Sequence, residues 1–153
     1  GQQGNSWFSS PHKNLTFSVF VKFKDLFVSD KIYLNFAISL AILDCLQTLK
    51  TPKLSIKWPN DILSGNKKLC GILTETNLHG KRIKSAVIGI GINVNEDKFP
   101  FSLPKATSLK IINKKNFDLD ILLQTLLQKI EERIYLLSEK KLDILEEEYL
   151  KHL

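Results

Sequence analysis

Apolar and polar residues alternate from Leu15 to Phe23, which places five apolar side chains on one side of an extended chain: Leu15, Phe17, Val19, Val21 and Phe23. Because side chains alternate across a β-strand, this period of two predicts a strand with one buried face. A long apolar segment then runs to about Leu46, and Ser29 or Asp30 is a suitable N-cap for a helix there. Apolar residues cover most of that helical surface, which predicts a helix packed against a sheet.

The stretch from Lys57 to Glu75 reads KWPNDILSGNKKLCGILTE and contains the most informative pattern of the chain. Residues 54–58 alternate and predict a strand with Trp58 on its apolar face. That strand should end at Pro-Asn-Asp, because proline cannot donate to a sheet ladder and Asn and Asp favour turns. Ser64-Gly65-Asn66 is a hairpin signal, and a second strand is predicted from Leu69 to Thr74.

The predicted hairpin brings Lys68 back towards Lys57, Asn60 and Asp61. Two lysines, a carboxylate and a carboxamide then converge beside Gly71, where the missing side chain lets a ligand approach the backbone closely. This combination predicts an anion site at the strand ends. The alternative is a plain surface hairpin whose two lysines are simply solvated.

A further strand with two spaced glycines is predicted from Arg82 to Asn93, after the turn signal His79-Gly80. Alternation puts its isoleucines on one face and Gly89, Gly91 and Asn93 on the other. Glycine weakens a strand, so two on one face indicate the close approach of a flat group. Either a ligand or a helix crossing the sheet would satisfy this. The pattern is not a dinucleotide fingerprint, because the strand continues through it.

The last third of the chain is predicted to be a loop followed by helices. Residues 97–115 contain two prolines and indicate a loop, residues 116–137 have apolar residues at helical spacing, and a second helix is predicted from Lys141 to the end. The whole pattern predicts an α+β domain over residues 1–153, with a mixed, mostly antiparallel sheet and helices packed on one face.

Composition narrows the function classes. Hydrophobic residues make up 43% of the chain and charged residues 25%, which suits one globular domain. The net charge of +6 favours anionic partners, but the lysines are spread along the chain, so nucleic acid is not favoured. Cys45 and Cys70 lie in apolar runs, which indicates buried reduced thiols and a cytoplasmic protein. No signal peptide or bilayer-spanning run is apparent, and the histidines lack ligand spacing, so we assign no metal ligands.

Several motifs together resemble the catalytic domain of biotin protein ligases over nearly the whole chain. They are KWPND, Lys68 within KKLCGILTE, and VIGIGINVN at Val87–Asn95, with further matches at GNSW (4–7), NLTFS (14–18) and ATSL (106–109). The resemblance implies that biotin and ATP, with Mg²⁺, give biotinyl-5′-AMP, and that a lysine of a biotin carboxyl carrier protein then takes the biotinyl group. No tightly bound prosthetic group and no membrane partner are implied.

The resemblance also implies roles for particular residues. Lys68 matches the lysine that contacts the biotin carboxylate and its neighbouring phosphate. Lys57 matches a lysine that contacts the α-phosphate. Asp61 matches the acid that positions or deprotonates the incoming lysine. The remaining matches fall on the biotin and adenylate pocket: Gly1, Gln2, Trp7 (packing on adenine, or alternatively in the core), Asn60, Gly71, Gly89, Gly91 and Asn93 (contacting the nucleotide or its metal).

The family pattern also sets expectations about the extent of the domain. The glycine- and arginine-rich loop is matched only in its second half, and a small C-terminal β domain is not matched, so we expect residues 1–153 to be part of a catalytic domain with weak unaided activity. Two alternatives stay open. One is a lipoate-type ligase, and the other is a non-catalytic domain that binds an acyl carrier domain or forms a homodimer through an unpaired sheet edge.

Overall fold

The computed structural model describes residues 6–153, in which five strands form one sheet in the order β1-β5-β4-β3-β2. The strands are β1 (Leu15–Phe27), β2 (Leu54–Lys57), β3 (Asp61–Ser64), β4 (Lys67–His79) and β5 (Arg82–Ile92). A short 3₁₀ turn at Val28–Asp30 leads into the first helix. The helices are α1 (Lys31–Thr48), α2 (Leu109–Asn113), α3 (Leu119–Ser138) and α4 (Leu142–Leu150).

All four strand pairings of this sheet are antiparallel, and the predicted α+β class is confirmed. Strands β2 to β5 follow one another through short turns, which is the connection that antiparallel neighbours allow. The expected mixture of directions reduces, in the described part of the chain, to a single parallel bridge between Lys68 and Ala106. The sheet is therefore an almost pure meander, and α1 carries the chain from β1 to the opposite edge.

Helix α1 is the centre of the hydrophobic core. Its residues are buried on nearly every side, and Leu34, Ile38 and Ile42 are completely buried. Alternate residues of β5, including Ile88, Ile90 and Ile92, belong to the same core cluster, as the isoleucine face predicted. The other face of β5 is therefore turned away from the helices. Asp30 occupies the N-cap of α1 but makes no side-chain capping bond within residues 6–153.

A partly buried ion-pair network joins three helices on the outer side of the core. Arg133 of α3 donates to both carboxylate oxygens of Asp44 on α1, at 2.7 and 3.0 Å, and also contacts Glu148 of α4. A guanidinium suits this position because its planar fork satisfies a carboxylate with two parallel bonds. The network fixes α3 and α4 relative to α1.

The central segment differs from the prediction in two ways. Strand β2 ends at Lys57, and Trp58 lies in the following turn with 52% of its surface exposed, so Trp58 is not on the buried face. Asp61, which was expected in the turn, instead begins the additional strand β3 and pairs with Lys57 and Gly71. Pairing on both sides outweighs the turn preference of an isolated Asp.

Both cysteines are buried free thiols, as expected. Burial raises the pKa of Cys45 to about 11, so this thiol is protonated at neutral pH. None of the helices within residues 6–153 is long and apolar enough to cross a membrane.

Candidate active site

One transverse row of residues crosses all five strands on the face opposite the helices. Lys57 pairs with Asp61, Asp61 with Gly71, Gly71 with Gly91, and Gly91 with Thr16. Residues directly opposite one another in a ladder point to the same side of the sheet. The register therefore gathers most of the polar and glycine positions predicted from sequence onto a single face.

This face contains a cavity of about 590 Å³. Its floor is made by the glycines of β4 and β5, and polar side chains stand at its edges. The residues that line it are Ser6, Trp7, Thr16, Phe17, Ser18, Pro59, Asn60, Asp61, Lys68, Gly71, Ile72, Leu73, Gly89, Ile90 and Gly91. A concave site with a glycine floor and a few convergent polar groups is typical of a small-molecule pocket.

A β-bulge aims Lys68 into this cavity. Ile62 pairs with Cys70 whereas Leu63 pairs with Lys68, so Leu69 is an extra residue on β4. Without it, Lys68 and Gly71 would point to opposite faces, because they are three residues apart. The bulge brings the Lys68 Nζ to 2.7 Å from Asp61 Oδ1, with the two side chains 40% and 16% exposed. The cavity edge thus holds a cation and a carboxylate in direct contact.

Lys57 has a different position from these two residues. The register places it on the same face as Asp61, but it is exposed and is not among the residues of the described chain that line the cavity. The structure therefore brings Asp61 and Lys68 together and leaves Lys57 on the outer side of Asp61.

The indole of Trp7 lies flat on two of the floor glycines. A Cβ built on Gly91 would be 2.6 Å from Trp7 Cε2, and one on Gly71 would be 3.0 Å from Cζ3. The flat group that these two glycines accommodate is therefore the protein's own tryptophan. Lys68 Nζ lies 5.7 Å from the ring centre, within the range of a cation–π contact.

Gly89 is the open part of the floor. The nearest neighbours of a Cβ there would be Leu73, at 3.7 Å, and the hydroxyl of Ser18, at 3.9 Å, which are ordinary contact distances. The packing of the described residues does not require glycine at this position. A ligand lying on the floor would require it, because an added methyl group would take up the space.

Of the other predicted site residues, some line the cavity and some do not. Asn60 lines the cavity, donates from Nδ2 to the carbonyl of Ile72 at 2.8 Å and so holds its turn against β4. Asn93 follows β5, is 3% exposed and does not line the cavity, and its Oδ1 has no hydrogen-bond partner within residues 6–153. Gly1 and Gln2 lie outside the described residues.

Three hydroxyl-bearing residues that line the cavity were not among the predicted site residues: Ser6, Thr16 and Ser18. A signal for two of them was present, because Thr16 and Ser18 occupy the polar face of the β1 alternation. Their registers opposite Gly91 and Gly89 were not visible in the sequence, since they depend on which strand lies beside β1. These hydroxyls add donors and acceptors along the glycine floor.

The described residues do not form a magnesium cage. Mg²⁺ needs octahedral oxygen ligands, which proteins usually supply as one or two carboxylates completed by water and substrate phosphates. Among residues 6–153, Asp61 is the single carboxylate that lines the cavity, and Lys68 already neutralises it. Any Mg²⁺ in this cavity would therefore be held mainly by a nucleotide.

Curated proteins similar to this chain are ligases. It is 33% identical over 136 residues to the bifunctional ligase/repressor BirA of Bacillus spizizenii, covering 87% of this chain and 42% of that protein. It is 31% identical over 137 residues to the biotin–[acetyl-CoA-carboxylase] ligase of Mycobacterium tuberculosis, covering 88% and 49%. The chain thus spans less than half the length of these relatives.

Solved structures show the same fold. The biotin protein ligase of Aquifex aeolicus, in complex with biotin and ATP, matches with a TM-score of 0.81 and 29% identity, covering 97% of this chain and 61% of that one. The model of the biotin/lipoate A/B protein ligase family matches residues 1–93, a range that includes the glycine floor and the Lys68–Asp61 pair. On this match, which extends over more than half of the sequence and agrees with the fold, the chain belongs to the biotin/lipoate A/B protein ligase family.

Proposed function

We propose that this chain carries the catalytic site of a biotin–protein ligase. In this proposal it converts biotin and ATP to biotinyl-5′-AMP and transfers the biotinyl group to a lysine of a biotin carboxyl carrier protein. The observation that carries the proposal is the Lys68–Asp61 pair, which the bulge at Leu69 holds at the edge of the glycine floor. The similarity to ligases named for biotin supports biotin over lipoate.

Lys68 is assigned to the first step. A biotin carboxylate oxygen attacks the α-phosphorus, an acyl–phosphate bond forms, and the bond to the leaving pyrophosphate breaks. Negative charge is carried by the carboxylate and then by the phosphate oxygens, and a fixed ammonium stabilises both. Lys68 reaches these groups by exchanging its bond to Asp61 for one to the ligand.

Asp61 is assigned to the second step. The amine of the carrier lysine attacks the acyl carbon, AMP leaves, and the nitrogen must lose a proton. Asp61 lies beside Lys68 at the cavity edge, and its carboxylate can orient the amine and accept that proton once Lys68 has turned to the ligand.

The remaining residues are assigned to binding. Gly71, Gly89 and Gly91 form the floor, Trp7 a wall, and Asn60 the turn beside them. Lys57 lies outside the lining and keeps its predicted contact with the α-phosphate as a proposal. Asn93, Gly1 and Gln2 likewise keep their predicted nucleotide and biotin contacts as proposals. Mg²⁺ accompanies ATP on its phosphates. A reducing cytoplasm as location and a homodimer remain part of the proposal.

Two measurements test this function. Calorimetry with biotin and a non-hydrolysable biotinyl-adenylate analogue measures binding, and biotin-dependent exchange between pyrophosphate and ATP measures the first step, with lipoate in parallel. Lys68→Ala should reduce both signals. Lys67→Ala is the matched control, because it removes the neighbouring, exposed lysine of the same strand.

A wild-type chain that binds neither ligand would refute the proposed function. Equal losses from the two lysine variants would refute the assignment of Lys68. Exchange that depends on lipoate and not on biotin would favour the lipoate-type alternative.

A further inference from the structure

The segment before β1 is tied to the chain that follows β5. Glu96 Oε1 accepts hydrogen bonds from the backbone N–H of Ser10 at 2.8 Å and from Asn14 Nδ2 at 3.0 Å. Asn14 Oδ1 in turn accepts from the backbone N–H of Val94 at 2.8 Å. One carboxylate and one carboxamide therefore fasten residues 10–14 to the end of β5.

Glu96 is an unusual residue to find in this place. It is only 2% exposed, and a carboxylate is seldom buried unless its environment favours the charged form. Burial raises the pKa of Glu96, but the bonds from Ser10 and Asn14 and the charge of Lys13 outweigh it, so the pKa is lowered. The group is thus an anion that the N-terminal segment surrounds with donors.

Trp7 lies three residues before Ser10, in the segment that leads into this contact. Its indole lies so close to Gly91 that no Cβ would fit between them, although part of its surface is exposed. An aromatic ring at the end of a loop needs a tether to stay on a sheet surface, because ordering a loop costs conformational entropy. The described contacts of residues 8–14 supply it: the Glu96 bonds, the bond from Asn95 N–H to the Lys13 carbonyl, and an edge contact between Phe8 and Phe99.

We infer that Glu96 is a positioning residue, which holds the Trp7 indole on the glycine floor through Ser10 and Asn14 and so fixes one wall of the cavity. Glu96 does not itself line the cavity. The inference rests on the proposed function only for the identity of the ligand, because the position of Trp7 can be measured without one.

The test follows the fluorescence of Trp7 in a Trp58→Phe background, which removes the second tryptophan. Glu96→Ala should move the emission to longer wavelength and increase quenching by acrylamide. Glu96→Gln keeps an acceptor at the same reach and should restore most of the wild-type signal, whereas Glu96→Asp keeps the charge, is one methylene shorter, and should not. Glu147→Ala is the control, since it removes an exposed carboxylate paired on α4.

Binding of the biotinyl-adenylate analogue is then measured on the same proteins. Glu96→Ala should weaken it about tenfold, as expected for losing a hydrogen bond to a charged group, with Glu96→Gln close to wild type. Trp7 emission and quenching that stay unchanged in Glu96→Ala, or in Glu96→Asp if the alanine variant does not fold, would overturn the inference. Failure of the wild type to bind the analogue would instead refute the proposed function.

Discussion

Replacing each of two neighbouring floor glycines by alanine separates the packing of Trp7 from the space left for a ligand. At Gly91 the added methyl would lie 2.6 Å from Trp7 Cε2 and 2.9 Å from Cζ2, whereas at Gly89 its nearest neighbour is 3.7 Å away. Carbon atoms in contact lie about 3.5–4.0 Å apart, so the indole must withdraw by about 1 Å in Gly91→Ala. In Gly89→Ala nothing needs to move.

The difference in stability between the two variants follows from these distances. Both substitutions remove a glycine from the same strand, which by itself stabilises by about 0.5–1 kcal/mol. This gain is common to the two variants and cancels in their comparison. The difference is the cost of overpacking at one site, about 1–3 kcal/mol. Gly91→Ala should therefore be less stable than Gly89→Ala by that amount.

Urea unfolding followed by far-UV circular dichroism measures the stabilities, and Trp7 emission in the Trp58→Phe background measures the ring position. Only Gly91→Ala should change the emission. Both variants should bind the biotinyl-adenylate analogue less tightly, Gly91→Ala because a wall has moved and Gly89→Ala because a methyl occupies the floor. Equal stabilities would refute the placement of Trp7 on Gly91. Normal binding by Gly89→Ala would refute the assignment of Gly89 to the floor of the ligand site.

Three other substitutions test separate parts of the structure. Lys68→Ala should weaken binding of biotin and of the adenylate analogue by about 1.5–3 kcal/mol in calorimetry, with Lys67→Ala near wild type. Glu96 has a lowered pKa, so its contribution to stability is complete above its unfolded pKa and is lost as the pH falls through the folded one. Urea midpoints measured between pH 3 and 7 should show this loss of stability at low pH, and Glu96→Gln should reduce it. Arg133→Ala leaves two carboxylates unpaired on α1 and α4 and should cost about 1–3 kcal/mol in urea unfolding, whereas Lys129→Ala, which breaks an exposed pair, should cost under about 1 kcal/mol.

The long elements of the fold could be predicted because their patterns are local. Alternation in β1 and β5 gave the buried faces of both strands, and the all-round apolar surface of α1 gave its burial. Strand β3 was missed because Asp61 favours turns on its own, and only its partners on both sides keep it in the sheet. Pairing partners are distant in sequence, and local propensity does not contain them.

The candidate site was predictable in its residue types and less so in its geometry. The glycines of β5 indicated a flat partner, but the sequence did not show that Trp7 itself covers Gly91. The bulge at Leu69 decides which face Lys68 points to, and no turn residue or break in the pattern announces it. Glu96 stands between Asn95 and Asp97, where a surface loop is the natural interpretation, and its burial depends on Ser10 and Asn14.

The contact between Lys68 and Asp61 is suited to release because of where it lies. Lys68 is 40% exposed, so its ammonium group stays hydrated when it leaves Asp61, whereas the Asp61 side chain is only 16% exposed. A charge-assisted hydrogen bond to a ligand anion inside the cavity is worth about 1.5–3 kcal/mol. A ligand anion would therefore offer Lys68 a charge-assisted bond of the same kind as the one to Asp61, and the hydrated lysine can exchange one for the other. In the proposed function, Asp61 holds the lysine at the cavity edge beforehand, and the exchange would leave the Asp61 carboxylate without a counter-ion when the amine of the second substrate arrives.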